Sequence, residues 1–204
     1  MSKSSAPRGR GRPAGGVIIA DRAQLLSAAE QSIRAIGPQV SMAAIAAEAH
    51  VTKPILYRGI GDKDALVGAL SELLVDRFNV AVGAAMSDTT RPQDGLHRFI
   101  DAYLSVVDQN RNLYLFVTAG TGGDDHVGQM LQFADRSAVP IAEQLAAQRV
   151  SVGADPAVAR TWAYAMIGTL HFVTLWWLRD ASVTQEQLTE HLAELLSAGL
   201  RGSR

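Results

Sequence analysis

The sequence predicts an all-α protein in which a small amino-terminal three-helix head precedes a larger helical domain. Three observations lead to this prediction. Apolar residues recur at helical spacing along most of the chain. Glycine and proline interrupt this helical spacing several times in the first part of the chain, at Gly37-Pro38, Gly59 and Gly61, which predicts short helices there. The 204 residues are 48% hydrophobic, which is enough for one sizeable core or two small domains sharing a helix.

The chain begins with a segment that is not predicted to fold alone. Residues 1–20 are rich in Ser, Gly, Pro and Arg, and we expect a disordered arm. Residues 21–36 then carry Leu25, Leu26, Ala29, Ile33 and Ile36 at helical spacing, which predicts the first helix of the head.

Two short helices and a tight turn follow. Ser41 is an N-cap candidate for a helix near Met42, and Val40 can staple onto Ile45. The chain turns at His50-Val51, Thr52 is placed to cap the next helix, and Pro54 is tolerated in its first turn. Asp62 can cap the helix after that. A helix, a turn and a second exposed helix form a DNA-reading geometry.

The stretch IAAEAHVTKPILYRGIGDKDAL resembles the helix-turn-helix signature of TetR-like transcriptional regulators. The resemblance covers about residues 21–66, and it implies that residues 67–204 form a helical ligand-binding and dimerisation domain. The chain departs from the family pattern at two places. His50 stands where the family usually has glycine in the turn, and Gly59-Ile60 stands where an aromatic pair is usual.

The resemblance implies which residues contact a double-stranded operator. Lys53, Tyr57 and Lys63 are expected to hold phosphates, whereas Thr52, Pro54, Ile55 and Arg58 are candidates for groove contacts. Ser41 is also predicted to lie at the DNA. In the arm, Arg10-Gly11-Arg12-Pro13 resembles the core of an AT-hook, so Arg10 and Arg12 either enter a minor groove or only add positive charge near the DNA.

The helix starting near Asp62 and running to about Met86 is too long to belong only to the head, so it is the candidate mechanical link to the larger domain. The uncharged run Thr161–Leu178 is near the lower limit for a membrane span, but a helix buried on two sides is the preferred interpretation. The resemblance implies a homodimer in which the last two helices pair with those of a second subunit.

Aromatic and polar residues of the later helices are candidates to line a pocket for an apolar or aromatic small-molecule effector, although each taken singly is more typical of core packing. The predicted set is Tyr103, Tyr114, Phe116, Phe133, Trp162, Met166, His171 and Trp176. His171 and Tyr103 would supply the polar contacts.

Composition limits the other classes of function. The absence of cysteine excludes thiolate catalysis and cysteine-based metal sites. Residues 1–63 hold nine Lys and Arg against four Asp and Glu, whereas the rest holds ten against sixteen, and a basic head on an acidic body fits a polyanionic partner. The Gly120–Gly123 stretch lacks the lysine of a phosphate-binding loop, and we expect no enzyme activity, no cofactor and a cytoplasmic location.

The sequence is also compatible with three alternatives. His97 with Asp101, and His126 beside Asp124 and Asp125, could begin a metal site, although each is more typical of a solvated polar cluster. The head could be vestigial on a small-molecule-binding or enzymatic helical protein. The chain could also be an architectural DNA protein without sequence preference.

Overall fold

A computed structural model describes residues 21–87, 94–119, 126–180 and 182–201. The predictions for Arg10, Arg12, the 1–20 arm, Gly120–Gly123, Asp124 and Asp125 lie outside these residues. The described part is helical throughout. Its helices are α1 (Arg22–Ile36), α2 (Met42–Glu48), α3 (Lys53–Ile60), α4 (Lys63–Ser87), α5 (Gly95–Gln109), α6 (Arg111–Ala119), α7 (His126–Ser151), α8 (Ala159–Arg179) and α9 (Gln185–Arg201).

The head consists of α1, α2 and α3, and short polar side chains fix where its helices begin. The Ser41 hydroxyl accepts from the Ala44 N–H at 3.2 Å, as predicted. The Asp62 carboxylate accepts from the Ala65 N–H at 2.9 Å and caps α4. These caps satisfy N–H groups that have no partner inside their own helices.

Two details of the head differ from the prediction. Thr52 occupies the N-cap position of α3, but its side chain makes no capping hydrogen bond. Pro54 has no N–H to offer, and the Ile55 N–H already donates to the Thr52 carbonyl at 3.0 Å. Ile36, predicted on the buried stripe of α1, is 64% exposed because α1 ends there and Gly37 turns the chain away.

The head and the larger domain share one apolar core. Leu25, Ile45 and Leu56 of the head pack in the same cluster as Leu70 of α4 and Phe116 of α6. Since apolar burial is the main stabilising contribution to folding, head and body are stabilised together. The long helix α4 is common to both, as its length predicts.

A second core lies at the carboxyl end, where α5 packs against α9. It includes Ile100, Leu104 and Leu170, together with Leu192. The last helix begins with a capping box, because the Thr184 N–H donates to the Gln187 side chain at 3.0 Å and Thr184 Oγ1 accepts from the Gln187 N–H at 3.2 Å.

Helices α7 and α8 each have a proline in or near them. Pro140 lies inside α7, which continues through it from His126 to Ser151. Asp155 caps a 3₁₀ turn, Pro156–Val158, and not α8 itself, which starts at Ala159. Within the described ranges, no helix, α8 with its Thr161–Leu178 run included, has the length and hydropathy needed to cross a membrane.

Candidate DNA-binding surface and effector cavity

Helix α3 has one buried and one exposed face. Leu56 and Ile60 point into the shared core. Side chains three and four positions apart share a helix face, so Leu56 and Ile60 lie on one face and the other residues of α3 lie on a different one. This second face forms a stripe that is exposed at Lys53, Pro54, Tyr57 and Arg58, and Thr52 is exposed at its start. Ile55 is half-buried at its edge.

The turn between α2 and α3 contains a positive φ at a residue that is not glycine. His50 has φ 52°, which lies in the left-handed region, and it stands where the resemblance predicts glycine. The Val51 N–H donates to the Ala46 carbonyl at 2.9 Å, and the His50 N–H donates to the Ala47 carbonyl at 3.1 Å. These bonds close the turn around a histidine at a modest conformational cost.

The second departure from the family pattern has a packing explanation. A Cβ added at Gly59 would lie 2.4 Å from Leu25 Cδ1, a distance that real Cβ atoms essentially never show, so the Leu25 side chain would have to shift. Helix α3 therefore approaches α1 more closely than a larger residue at position 59 would allow. Ile60 is buried beside it and contributes apolar area where an aromatic ring was expected.

Lys63 differs from the other predicted phosphate ligands. It is half-buried in the first turn of α4, and its ammonium lies 5.9 Å from the centre of the Phe116 ring. A cation over an aromatic face is attracted by the ring quadrupole. This contact ties the end of the head to α6.

A cavity of about 100 Å³ lies between α4, α5, α7 and α8. Its apolar wall includes Phe78 of α4 and Ile141 of α7. Its polar side chains are those of Asn79, Tyr103, Ser137, Gln144 and His171. A mostly apolar cavity with a few polar groups is the usual form of a small-molecule site.

A buried hydrogen-bonded chain stands at one side of this cavity. The Tyr103 and Tyr114 hydroxyls are 2.9 Å apart, and the Tyr114 hydroxyl lies 2.7 Å from His171 Nδ1. Burial raises the pKa of Tyr103 to about 12 and that of Tyr114 well above its ordinary value of 10.0. Both hydroxyls are therefore neutral at physiological pH, and Tyr103 also stacks on Phe78 at 4.9 Å between ring centres.

The predicted effector residues do not all meet at this cavity. Tyr103 and His171 line it, and Tyr114 supports both from behind. Phe116 is instead buried in the core shared with the head, and Met166 is buried outside the lining.

The two predicted tryptophans also lie elsewhere. Trp162 packs under the guanidinium of Arg149 at 4.6 Å, and Trp176 is 44% exposed. The Phe133 side chain lies outside the described part.

Most of the cavity lining was not predicted from the sequence, and the larger part of it lies on α4 and α7. These residues are Val75, Phe78, Asn79, Val82, Ser137, Pro140, Ile141 and Gln144. Phe99 of α5 and Ile167 and Leu170 of α8 also line the cavity and were not predicted. The length of α4 is the signal that could have indicated the α4 group, because a helix extending beyond the head must pack against the other domain.

Arg77 connects the two domains from the opposite side of α4. Its Nη2 lies 2.8 and 2.9 Å from the two carboxylate oxygens of Glu30 in α1, and its Nη1 donates to the Asn110 side chain at 2.6 Å. Because Arg77 adjoins Phe78 in the chain, the same turn of α4 contacts the head and the cavity.

The metal alternatives gain no support in the described residues, where no group of three or more potential ligand side chains is found. Asp101, one half of the His97 pair, accepts a hydrogen bond from the Gln185 side chain at 2.8 Å. The side chain of His126 is outside the described part.

Two family models match the chain. The model described as "Bacterial regulatory proteins, tetR family" matches residues 25–70, and the model described as "Tetracyclin repressor-like, C-terminal domain" matches residues 81–203. An uncharacterised HTH-type transcriptional regulator of Mycobacterium tuberculosis (strain CDC 1551 / Oshkosh) is 26% identical over 187 residues, covering 89% of this chain and 77% of that protein.

Solved structures have the same fold. A TetR-like transcriptional regulator from Rhodococcus sp. RHA1 has a TM-score of 0.61 and 25% identity, over 89% of this chain and 96% of that one. A TetR-family regulator from Syntrophomonas wolfei has a TM-score of 0.73 at 16% identity, over 90% and 96% of the two chains.

Proposed function

The chain belongs to the TetR family of bacterial transcriptional regulators, and we propose that it is a repressor which a small molecule releases from a palindromic operator. The observation that carries this proposal is the exposed stripe of α3. Lys53, Tyr57 and Arg58 face solvent together, while the opposite face of the same helix is fixed in the core. A helix held in this way presents its side chains to a major groove.

The roles within the stripe follow from side-chain chemistry. Lys53 and Tyr57 hold phosphates and set the register on the duplex. Arg58 reads a guanine, since a guanidinium matches its two major-groove acceptors, and Ile55 meets a thymine methyl group. Lys63 joins the phosphate contacts only if its ammonium leaves the Phe116 ring.

A palindromic operator requires two heads, and the exposed apolar residues of α8 and α9 support a homodimer. Phe172 and Trp176 lie one helical turn apart on α8 and are 65% and 44% exposed, and Leu195 of α9 is 61% exposed. Large apolar side chains exposed together mark interaction surfaces. Pairing through these helices would place the two recognition helices on successive major grooves, about 34–36 Å apart.

Release follows from the position of α4 between the cavity and the head. A ligand among Phe78, Tyr103 and His171 would favour one tilt of α4, and the Arg77–Glu30 contact would carry that tilt to α1. The ligand shifts the equilibrium only by its difference in affinity between the two states.

Selection of duplexes from a random pool tests the operator proposal. Purified protein at near-physiological salt is expected to enrich a palindrome, and Tyr57→Ala is expected to lose it. Enrichment of no sequence, with weak and strongly salt-dependent binding to every duplex, would favour the architectural alternative and overturn the proposal.

Single substitutions then distinguish residues that recognise bases from residues that contact phosphates. Arg58→Ala is expected to cost about 1–3 kcal/mol and to relax the preference at one base pair, whereas Lys53→Ala should weaken binding to all sequences and reduce the salt slope by about one. Arg160→Ala, an exposed arginine on α8, is the matched control and should leave operator affinity unchanged.

Sedimentation of a Phe172→Ser, Trp176→Ser double variant tests the dimer. It should sediment as a monomer at concentrations where the wild type is a dimer. Val80→Ser, which alters a 74% exposed valine on α4, is the control and should remain dimeric. A monomeric wild type that still selects a palindrome would contradict the dimer.

A further inference from the structure

A second cavity adjoins the first. It measures about 190 Å³ and lies between α6, α7 and α8, where Thr118, Leu131 and Gly168 belong to its lining. Ile167 and His171 line both cavities. The two spaces therefore meet at these two side chains of α8.

The lining of both cavities is uncharged. Among the described residues that line either one, there is no Asp, Glu, Lys or Arg. The polar groups are hydroxyls, side-chain amides and the His171 imidazole. A buried charge on a ligand would lose its hydration without gaining an ionic partner here.

The size of each cavity limits what it can hold alone. A cavity of roughly 150 Å³ takes one benzene molecule. The second cavity, at about 190 Å³, therefore accommodates a small ring, whereas the first, at about 100 Å³, accommodates only a short aliphatic segment. A larger effector must extend from one cavity into the other. Such a ligand passes His171, whose Nδ1 is held by Tyr114 at 2.7 Å.

We propose that the effector is an elongated, uncharged and mainly apolar molecule, with one end in each cavity and a hydrogen-bonding group near its middle lying against His171. This inference rests on the proposed function, because it names the class of molecule that the regulator senses. Tyr103 and Tyr114 fix the imidazole in place as neutral hydroxyls, so recognition is by hydrogen bonding and not by charge.

Isomeric ketones test the position of the polar group by titration calorimetry. Dipentyl ketone has its carbonyl at the centre and methyl nonyl ketone near one end, with the same composition. We expect dipentyl ketone to bind about threefold to tenfold more tightly, the worth of one hydrogen bond. Equal affinity, or tighter binding of methyl nonyl ketone, would overturn the central contact.

Undecanoate tests the requirement for an uncharged ligand, since it has the same number of carbon atoms and an anionic end. It should bind at least about tenfold more weakly than dipentyl ketone, because no cationic side chain lines the cavities. Binding of undecanoate as tight as that of the ketone would contradict an uncharged effector.

Gly168 offers a direct test of the second cavity. A Cβ added there would have no atom within 4 Å, and Gly168 lines the second cavity but not the first. Gly168→Leu should fill that space and weaken dipentyl ketone binding at least about tenfold, the effect of displacing two or more methylenes. Diethyl ketone, which fits the first cavity, should be unaffected.

Gly83→Leu is the matched control, because Gly83 is also a helical glycine with open space at its Cβ and lines neither cavity. It should bind dipentyl ketone as the wild type does. An equal loss in both variants, or none in Gly168→Leu, would overturn the inference.

Operator selection with the same preparations separates the two proposals. Binding of the palindrome without binding of either symmetrical ketone would overturn the effector class and leave the DNA proposal intact. If the ketones bind with the expected order of affinities but no duplex is enriched, the proposal of a repressor is overturned and the assignment of the cavities to an uncharged ligand is kept.

Discussion

Two helical glycines, Gly59 in the head and Gly168 in the body, have opposite surroundings. An added Cβ at Gly59 would lie 2.4 Å from Leu25 Cδ1, whereas one at Gly168 would meet nothing within 4 Å. The head is thus packed to the limit where α3 crosses α1, and the body keeps open space beside α8. A rigid support suits a helix that must hold a fixed register on DNA, while open apolar space suits a domain that must admit a ligand.

The largest loss of stability is expected from a substitution in the larger domain, Tyr114→Phe. The change removes the hydroxyl between Tyr103 and His171 without altering the packing of the ring. It removes one hydrogen bond from the Tyr103 hydroxyl and one from the His171 imidazole, and we expect a loss of about 1–3 kcal/mol of unfolding free energy. Urea unfolding at fixed protein concentration measures this loss. An unchanged midpoint would show that the hydrogen bonds joining Tyr103, Tyr114 and His171 do not stabilise the cavity wall.

The same hydroxyls predict a dependence on alkaline pH. The folded state keeps the Tyr103 proton to a pKa of about 12, whereas the unfolded chain releases it near 10.0. The unfolded state therefore binds fewer protons between these values, and stability falls as pH rises through that window. Unfolding midpoints measured across it should decline less steeply in Tyr103→Phe than in wild type, and parallel profiles would contradict the assignment.

The head was more predictable than the cavity because its geometry is set locally. Ser41 and Asp62 cap helices through bonds to residues three positions on, and a sequence pattern of that length can be recognised. The cavity depends on which faces of α4 and α7 approach α8. Nothing local distinguishes Tyr103, which lines the cavity, from Phe116, which is buried in the core shared with the head.

Alanine at the two glycines tests the comparison itself. Alanine favours a helix over glycine by about 0.5–1 kcal/mol, and Gly168→Ala should show this gain. At Gly59 the gain is opposed by overpacking against Leu25, which typically costs about 1–3 kcal/mol, so Gly59→Ala should be destabilising by about 1 kcal/mol. Thermal or urea unfolding of the pair gives the signs, and stabilisation by both substitutions would remove the contrast.

A substitution at the junction between the head and the larger domain should have a smaller effect on stability and should also change operator affinity. Arg77→Met breaks the contacts with Glu30 and Asn110. Because Arg77 is 31% exposed and Glu30 keeps Arg34 at 3.1 Å, the loss of stability should be about 1 kcal/mol. Operator affinity should fall further than in Arg136→Met, which breaks the exposed pair with Glu72 at 3.3 Å. Equal affinities would show that Arg77 does not align the head.

The smallest contrast lies within the head, between two N-cap residues that are both predicted to face the operator. Ser41→Ala should cost about 1 kcal/mol, because its hydroxyl caps α2, whereas Thr52→Ala should cost at most a few tenths, since its side chain caps nothing. An exposed threonine freed from capping is available to the duplex. We therefore expect Thr52→Ala to weaken operator binding while leaving the unfolding midpoint unchanged. A variant that loses stability and keeps its affinity would assign Thr52 to the fold and not to DNA.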